Sequence, residues 1–395
     1  LKPFWLKVSL IHFMAAALTL LFVATHVISS AADGPCGEFD PFDNQFPWST
    51  ETPLVVAKDG SGTCTTIQGA IDLLNGPKAA YRYRFTIQVR PGIYREKVRV
   101  SPITPPLTLQ GLGVRPEDVM VVWDDAEYPS DGQEGCRGDA GREWDSQTLQ
   151  VASDDFTAAG MSFWNSACGN RKGRNFAISV TGDRVAFFRV RVLGGQDTFY
   201  TGFKRVYVMD SFVNGTADFL FGIGSAVFDG CEIQEAGSGG YLAATKGHNV
   251  SQVDGARGFC DLGWGESCEA YVFNNCRLTR AASSSASNHG VTYLGHPWHG
   301  DWATVVYLNT WMGSHIAAAG WDPWSTGCKD TSTRCSSVFY GEFNSTGPGA
   351  NRSRRVAWSR QLADAEAETY AAVKVLRGWR PVDPGNGPHT PVVVA

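Results

Sequence analysis

Two aspartates, Asp197 and Asp218, are separated by 21 residues near the middle of this chain. One carboxylate can attack an ester carbonyl and form an acyl-enzyme anhydride. A second carboxyl group can give its proton to the leaving alcohol and then activate water. Two acids held close together cannot both ionise cheaply, so such a pair divides into an acid and a base. Isolated aspartates more often occupy solvated turns, so their surroundings must decide whether this pair is catalytic.

An apolar alternation recurs around the two aspartates at intervals of 20 to 21 residues. It predicts a β-solenoid, in which each period forms one coil and adjacent coils stack about 4.8 Å apart. Asp218 should then lie almost directly above Asp197. A further interval of 45 residues is interpreted as about two periods with an insertion. The repeated positions are Phe187, Val190 and Val192; Val208, Ser211 and Val213; Phe228, Cys231 and Ile233; and Phe273, Cys276 and Leu278.

Short helices are predicted at both ends of this repeat. Residues 65–74 have helical periodicity and should cap the open end of the solenoid, and the Ala- and Glu-rich segment 364–376 predicts a terminal helix. The predicted fold class is therefore all-β, a solenoid with short capping helices. Strands are expected at 85–89, 98–100, 107–109, 119–123, 148–151, 161–163 and 305–308.

The composition is that of a globular protein. Of the 395 residues, 43% are hydrophobic and 18% charged, which is enough for a continuous core and argues against disorder. The net charge is −5, and the chain has no basic run of the kind that nucleic-acid binding requires. We therefore expect one repetitive domain and no nucleic-acid partner.

The first residues have the pattern of a secretory signal. Lys2 and Lys7 precede an apolar run over 8–28, and small residues follow at 29–32. A transmembrane anchor is the alternative, because a run of this length almost spans a bilayer. Interruptions by histidine and threonine favour cleavage, and we expect no stable membrane anchoring after it.

This pattern divides the chain into four segments. Residues 1–31 are predicted to be the signal segment, and 32–52 a linker or extended arm rich in Pro, Gly and Asp. Residues 53–380 should form the solenoid domain, and 381–395 a C-terminal tail. We expect an exported monomer.

Ten cysteines, an even number, fit an exported chain whose thiols can oxidise. Cys260 with Cys268 and Cys328 with Cys335 are close enough in sequence for each pair to close a local loop, but the sequence assigns no pairing. Cys231 and Cys276 occupy inward positions of the repeat and can equally be buried thiols. The spacings do not resemble those of zinc sites, and we predict no metal site.

Four Asn-X-Ser/Thr sequons fit glycosylation along a secretory route, although such short motifs also arise by chance. They begin at Asn214, Asn249, Asn344 and Asn351.

Seven sequence blocks resemble, in order, those of the pectinesterases, the pectin methylesterases of plants and microbes. The resemblance covers about 53–380 and is closer to the plant members. It implies a right-handed parallel β-helix that removes methyl groups from esterified homogalacturonan (pectin) without a cofactor. The blocks are Asp59-Gly-Ser-Gly, Pro91-Gly-Ile-Tyr-Arg-Glu, Gly182-Asp-Arg, Gln196-Asp-Thr-Phe-Tyr, Gly215-Thr-Ala-Asp-Phe-Leu-Phe-Gly, Leu294-Gly-His-Pro-Trp and Tyr340-Gly-Glu-Phe.

The resemblance also implies a role for each residue of the site. Asp218 matches the nucleophile and Asp197 the general acid and base. Gln196 matches an amide that stabilises the oxyanion, a donor worth about 2.7–4 kcal/mol in comparable sites; its alternative role is in a polar ladder along the solenoid. The resemblance further implies secretion to the cell wall and a proteinaceous pectinesterase inhibitor as a candidate partner.

Aromatic side chains near these blocks suit a polysaccharide, because sugar rings stack on flat aromatic surfaces. Trp298 and Phe219 are predicted to contact the substrate. Phe199, Trp321 and Trp324 also lie near matching blocks.

Two positions depart from the family pattern. His296 occupies the place of an arginine that fixes and charges the nucleophilic carboxylate, and Arg174 occupies the place of a second oxyanion glutamine. Both are predicted to line the substrate site. Histidine has fewer donors than arginine and is only partly protonated near neutral pH. If a protonated His296 orients Asp218, activity should fall as pH rises through about 6.5.

We therefore expect a weakened or pH-shifted esterase. One alternative is a relative that binds pectin without turnover. Another is a β-helical lyase or glycoside hydrolase acting on the same polymer, since two carboxyl groups about 5 to 9.5 Å apart also serve glycoside hydrolysis.

Overall fold

The computed structural model describes residues 35–36, 53–75, 84–126, 145–167, 174–247, 269–282, 290–298, 302–324 and 338–385. Within these ranges, strands numbered in chain order form three parallel sheets, and successive coils contribute neighbouring strands to each sheet. The fold is a right-handed parallel β-helix, the hand that parallel crossover connections take almost without exception. The predicted fold class is confirmed.

The three sheets, called A, B and C, run the length of the helix. Sheet A contains β1 (Leu54–Val56), β2 (Phe85–Val89), β5 (Leu107–Gly111), β8 (Phe156–Ala159), β11 (Val185–Phe188), β14 (Arg205–Met209), β17 (Ser225–Asp229), β20 (Tyr271–Asn274), β23 (Thr304–Leu308), β25 (Phe339–Phe343) and β26 (Arg360–Gln361). Sheet B contains β3 (Gly92–Arg95), β6 (Val119–Trp123), β9 (Ser162–Asn165), β12 (Arg191–Leu193), β15 (Phe212–Gly215), β18 (Glu232–Glu235), β21 (Arg277–Arg280) and β24 (Trp311–Met312). Sheet C contains β4 (Val98–Val100), β7 (Leu149–Val151), β10 (Ile178–Val180), β13 (Phe199–Tyr200), β16 (Leu220–Gly222), β19 (Tyr241–Thr245) and β22 (Tyr293–Pro297).

The predicted repeat matches the register of these sheets. Phe187 pairs with Val208, Val208 with Phe228, and Phe228 with Phe273. The interval of 45 residues was misread, however, because β17 pairs directly with β20 and the interval is a single coil. Its additional length is the sequence between β19, which ends at Thr245, and β20, which begins at Tyr271.

Stacking in register piles aromatic rings inside the helix. The rings of Phe228 and Phe273 lie 4.9 Å apart at 9°, and those of Phe273 and Tyr307 lie 4.5 Å apart at 9°. These separations are those of the coils themselves. Burial of such rings, with the aliphatic side chains of the same columns, supplies the main stabilisation of the fold.

Helix α1 (Ile67–Leu74) closes the N-terminal end, as predicted. Its buried face packs on the core, and Thr66 caps it by accepting the Gly69 N–H. The Glu96 carboxylate accepts two further N–H groups of the first turn, from Ile67 at 3.0 Å and Gln68 at 2.9 Å. These bonds satisfy donors that a helix start leaves unpaired.

The C-terminal prediction needs correction. The helix expected over 364–376 is two short helices, α2 (Asp364–Thr369) and α3 (Ala372–Val375), which end at Tyr370 and Leu376. They pack with the outer face of sheet A and do not cover the end of the helix. The reason is that sheet A carries apolar residues on its outer face as well as its inner one. Single 3₁₀ turns occur at Pro116–Asp118, Pro348–Ala350 and Arg352–Arg354.

The termini are attached by specific contacts where the structure describes them. Cys36, in the predicted arm, forms a disulfide with Cys64, a pairing that the sequence analysis did not make. In the tail, the Asp383 carboxylate pairs with Arg189, and the Gly385 carbonyl accepts from Gln110.

The remaining expectations concern Cys231 and Cys276, the two local cysteine pairs and the signal segment. Cys231 and Cys276 are free, buried thiols, one of the two states that the sequence left open. The predicted signal 1–31 and the two local cysteine pairs lie outside the described residues. In the described ranges, no helix has the length and apolar character needed to cross a membrane.

Candidate active site

The coil register brings the two aspartates together. In sheet C, Phe199 pairs with Leu220 and Tyr200 with Phe221, a shift that equals the separation of Asp197 and Asp218. The Asp197 N–H donates to the Ala217 carbonyl of the next coil at 3.0 Å. The two aspartates therefore occupy equivalent positions in adjacent coils, as the repeat predicts.

Both aspartates have left-handed backbone, with φ of 59° at Asp197 and 51° at Asp218. Aspartate tolerates this conformation better than most residues. The Asp197 side chain is 11% exposed and that of Asp218 is 26% exposed, so the second carboxylate is the more accessible.

His296 contacts Asp218 from two coils further along. It lies in β22, fully buried, and its Nε2 is 2.8 Å from Oδ1 of Asp218. Because a carboxylate only accepts, Nε2 carries the hydrogen and donates it. A charge-assisted bond of this length fixes one oxygen of the Asp218 carboxylate.

Aromatic rings enclose His296. The ring centroid of Tyr241 is 4.4 Å away, and that of Trp324 is 4.9 Å away. In the described part of the chain, the second ring nitrogen, Nδ1, is buried without a hydrogen-bond partner. The hydrogen that His296 donates to Asp218 is therefore on Nε2, and no described residue bonds the opposite side of the ring.

Tyr241 is a site residue that the sequence analysis missed. Its carbonyl accepts the Asp218 N–H at 2.9 Å, and its ring packs on His296. Burial raises the pKa of Tyr241, and the charges of Asp322 and Asp218 raise it further. Tyr241 follows Asp218 by one coil, so the sequence would have indicated it if the length of that coil had been known.

Arg174 lies beside Asp197. Its Nε is 3.5 Å from Oδ2 of Asp197, and its side chain is 36% exposed. The backbone explains the placement, because Arg174 forms a parallel bridge with Gln196, and the Asn175 N–H donates to the Gln196 carbonyl at 3.2 Å. Arg174 therefore pairs with Asp197 from the preceding coil.

Trp298 lies at the edge of the site. It is half-buried, and its backbone N–H donates to the Thr245 carbonyl at 2.8 Å. Its ring centroid is 5.9 Å from that of Phe221. Phe221 in turn packs on Tyr200 at 4.9 Å. Part of an aromatic surface thus borders the carboxylates.

Phe219, predicted to contact the substrate, is fully buried in the interior core. Its side chain fills space left by Gly215, where an added Cβ would lie 2.3 Å from the Phe219 side chain. The left-handed backbone at Asp218 turns the carboxylate outward and the next side chain inward. Phe199 and Trp321 are also buried in the core.

Metal ligation has no support in the described ranges, where no three His, Cys, Asp or Glu side chains are grouped so as to hold an ion.

Comparison with known proteins identifies the family. The family model described as Pectinesterase matches residues 53–379. The chain belongs to the pectinesterase family. The resemblance drawn from the sequence blocks is thus confirmed, and the protein is a member of a family of carboxylic ester hydrolases.

Individual pectinesterases match across most of their length. Pectinesterase 31 of Arabidopsis thaliana is 32% identical over 319 residues, which cover 81% of this chain and 90% of that protein. Pectinesterase QRT1 of the same plant is 29% identical over 328 residues, covering 82% and 77%. The solved pectin methylesterase from carrot superposes with a TM-score of 0.68 at 26% identity, covering 84% of this chain and 95% of its own.

Proposed function

We propose that the protein hydrolyses methyl esters of homogalacturonan in the cell wall and releases pectate and methanol. The observation that carries this proposal is the stacked pair Asp197 and Asp218, with His296 bonded to the second. Membership of the pectinesterase family supports the reaction class. A similar pectin methylesterase, 28% identical with a TM-score of 0.66, has been solved in complex with a hexasaccharide, which supports a sugar polymer as substrate.

In this proposal, Asp218 is the nucleophile. It is the more exposed of the two carboxylates, and His296 holds its Oδ1, so attack on the ester carbon falls to Oδ2. Asp197, protonated at the start, donates its proton to the leaving methanol as the acyl-enzyme forms. Water then attacks the anhydride and gives a proton to Asp197, which restores both carboxyl groups.

Other residues bind and polarise the substrate. Gln196, half-buried beside Asp197, is proposed to donate to the oxyanion. Trp298 is proposed to stack on a sugar ring, a role that its partly exposed ring at the edge of the site allows. No cofactor takes part in this scheme.

Secretion, the division of the chain, glycosylation and partners are also part of the proposal. A cleaved signal over 1–31, an arm over 32–52 and a monomeric β-helix over 53–380 with a tail at 381–395 remain our assignment. Asn344 and Asn351 are exposed and Asn214 is half-buried, so the first two are the better glycan acceptors. A proteinaceous inhibitor is a candidate partner, since some relatives are named pectinesterase/pectinesterase inhibitor; this chain spans 53% of one of them.

A second function has one observation in its favour. His296 stands where the family pattern has an arginine, and it holds Asp218 through Nε2 alone, with fewer donors than an arginine has. A relative that keeps the cleft without turnover would bind homogalacturonan and release no methanol.

Methanol release from highly methylated pectin tests these functions. The purified chain starting near Ala32 should release methanol, and Asp218→Asn should abolish release while pectin binding is retained. Binding without release in the unmodified chain would establish the pectin-binding alternative. Unsaturated chain ends would indicate a lyase and new reducing ends a glycoside hydrolase, and either would refute the esterase.

A further inference from the structure

The positive charge at this site is paired with Asp197. Among the described residues, the ion pairs that reach the two carboxylates are Arg174 with Asp197 at 3.5 Å and His296 with Asp218 at 2.8 Å. A guanidinium is charged at every pH at which an enzyme works. An imidazole, in contrast, gains and loses its proton near neutral pH. The permanent charge therefore lies on the carboxyl group that must donate a proton.

An adjacent cation favours the ionised form of a carboxyl group. Asp197 must be protonated when methanol leaves, because the methoxide oxygen takes its proton as the C–O bond breaks. Arg174 stabilises the carboxylate that results from this transfer. As pH rises, the same interaction leaves fewer molecules with a proton on Asp197 to give.

We propose that Arg174 is a positioning residue that acts through Asp197 and confines hydrolysis of the ester to acidic pH. The proposal rests on the function proposed above, in which Asp218 attacks and Asp197 transfers the proton. It deepens that function by assigning a regulation to the site, namely loss of activity as the wall becomes less acidic.

The charges around Asp197 leave this role to Arg174. Asp218 faces Asp197 from the next coil, and a carboxylate there opposes ionisation of Asp197. Behind it lie His296, Tyr241 with its pKa raised by burial and by the charges of Asp322 and Asp218, and Asp322 itself. Within the described ranges, Arg174 is thus the permanently charged cation that contacts either carboxylate.

The charge of Arg174 affects acylation and deacylation differently. In acylation, the Asp218–carbonyl bond forms, the ester C–O bond breaks and the proton moves from Asp197 to methanol. In deacylation, a water proton moves to Asp197 while the anhydride opens. Arg174 assists loss of the proton in the first step and weakens Asp197 as a base in the second.

Substitution of Arg174 tests the proposal. Arg174→Gln and Arg174→Met remove the charge with different shapes, and Arg174→Lys keeps it. Arg191→Gln is the matched control, because Arg191 is 30% exposed and pairs with Glu117 at 2.8 Å, in contacts that involve neither catalytic aspartate. The measurement is kcat for methanol release from pH 4 to 9, with thermal melting to confirm folding.

The unmodified chain should lose kcat as pH rises. In Arg174→Gln and Arg174→Met, the ratio of kcat at pH 7 to kcat at pH 5 should increase about fivefold, because removal of an adjacent arginine makes a carboxyl group an acid about tenfold weaker at the smaller end of the effect. Arg174→Lys and Arg191→Gln should keep the original profile.

Two results would overturn the proposal. One is an unchanged pH profile in both folded charge-removing variants, even with a raised KM, since Arg174 would then only bind substrate. The other is a fall in kcat with rising pH that persists undiminished without Arg174, which would assign the dependence to another group of the site. Absence of methanol release from the unmodified chain would instead refute the proposed function and is distinguishable from both.

Discussion

Replacing His296 by phenylalanine removes the hydrogen bond to the proposed nucleophile while keeping a flat ring between Tyr241 and Trp324. The bond is 2.8 Å long and ends on a carboxylate. Hydrogen bonds to charged groups contribute about 1.5–3 kcal/mol. If that amount is lost from the transition state, kcat should fall about 10- to 150-fold.

Stability should respond much less than activity. The His296 ring is buried and its Nδ1 has no partner in the described part of the chain, so phenylalanine buries one polar atom fewer. Asp218 is 26% exposed and can be solvated when its partner is gone. A swap of similar volume between aromatic neighbours should change the free energy of unfolding by less than about 1.5 kcal/mol.

Glutamine at the same position separates the two ways in which His296 can act. Its amide nitrogen can lie near the position of Nε2 and donate without charge. His296→Gln should therefore keep kcat within about tenfold of the unmodified chain if the neutral ring is the working form, since one neutral donor replaces another. Methanol release measured at pH 5 provides the assay, with Asp218→Asn as the inactive reference.

The reasoning fails if the phenylalanine variant retains full activity, because the bond would then not orient the nucleophile. It also fails if glutamine is as damaging as phenylalanine and only His296→Arg restores the rate. In that case His296 acts on Asp218 as a cation and not only as a hydrogen-bond donor.

Three further predictions concern the fold. Phe228→Ala should lower the free energy of unfolding by about 3–5 kcal/mol in a denaturant titration, because the fully buried ring stacks on its neighbour at 4.9 Å; alanine at Phe203, which is 55% exposed, should cost far less. Cys36→Ser should cost about 3.5 kcal/mol, since the disulfide joins residues 28 apart in sequence, and a reductant should then lower the melting temperature of the unmodified chain by more than that of the variant. Burial, aided by the charge of Arg280, lowers the pKa of His315 from 6.5 to about 4. The unfolded chain then binds this proton first, so stability should be complete above pH 6.5 and fall by at most about 3 kcal/mol as pH drops to 4, whereas His315→Gln should show a shallower fall.

The repeat could be predicted because a parallel coil converts equal spacing in sequence into equal position in space. The interval from Asp197 to Asp218 is also the interval from Phe199 to Leu220 and from Phe187 to Val208. Once the coil length is known, stacking of the two aspartates follows without tertiary information. The columns of core residues follow for the same reason.

The spacing in sequence gave a wrong number of coils where the sequence between two neighbouring strands is long. The separation of Cys231 and Cys276 suited two periods, yet their strands are neighbours. The number of residues between two repeats does not show whether the extra residues form another coil or a longer connection, because both lengthen the sequence by the same amount. The link between Cys36 and Cys64 was likewise invisible, because it depends on where the N-terminal arm crosses the cap.

The sequence by itself determined the β-helix, the paired aspartates and the substitution of histidine for the family arginine. Only the tertiary structure decided that Phe219 points inward, that Tyr241 and Trp324 enclose His296, and that Arg174 meets Asp197. The physical reason is that register fixes the position of each Cα, whereas the direction of a side chain depends on local φ and on neighbours from other coils. These side-chain directions determine which charged groups contact the two aspartates.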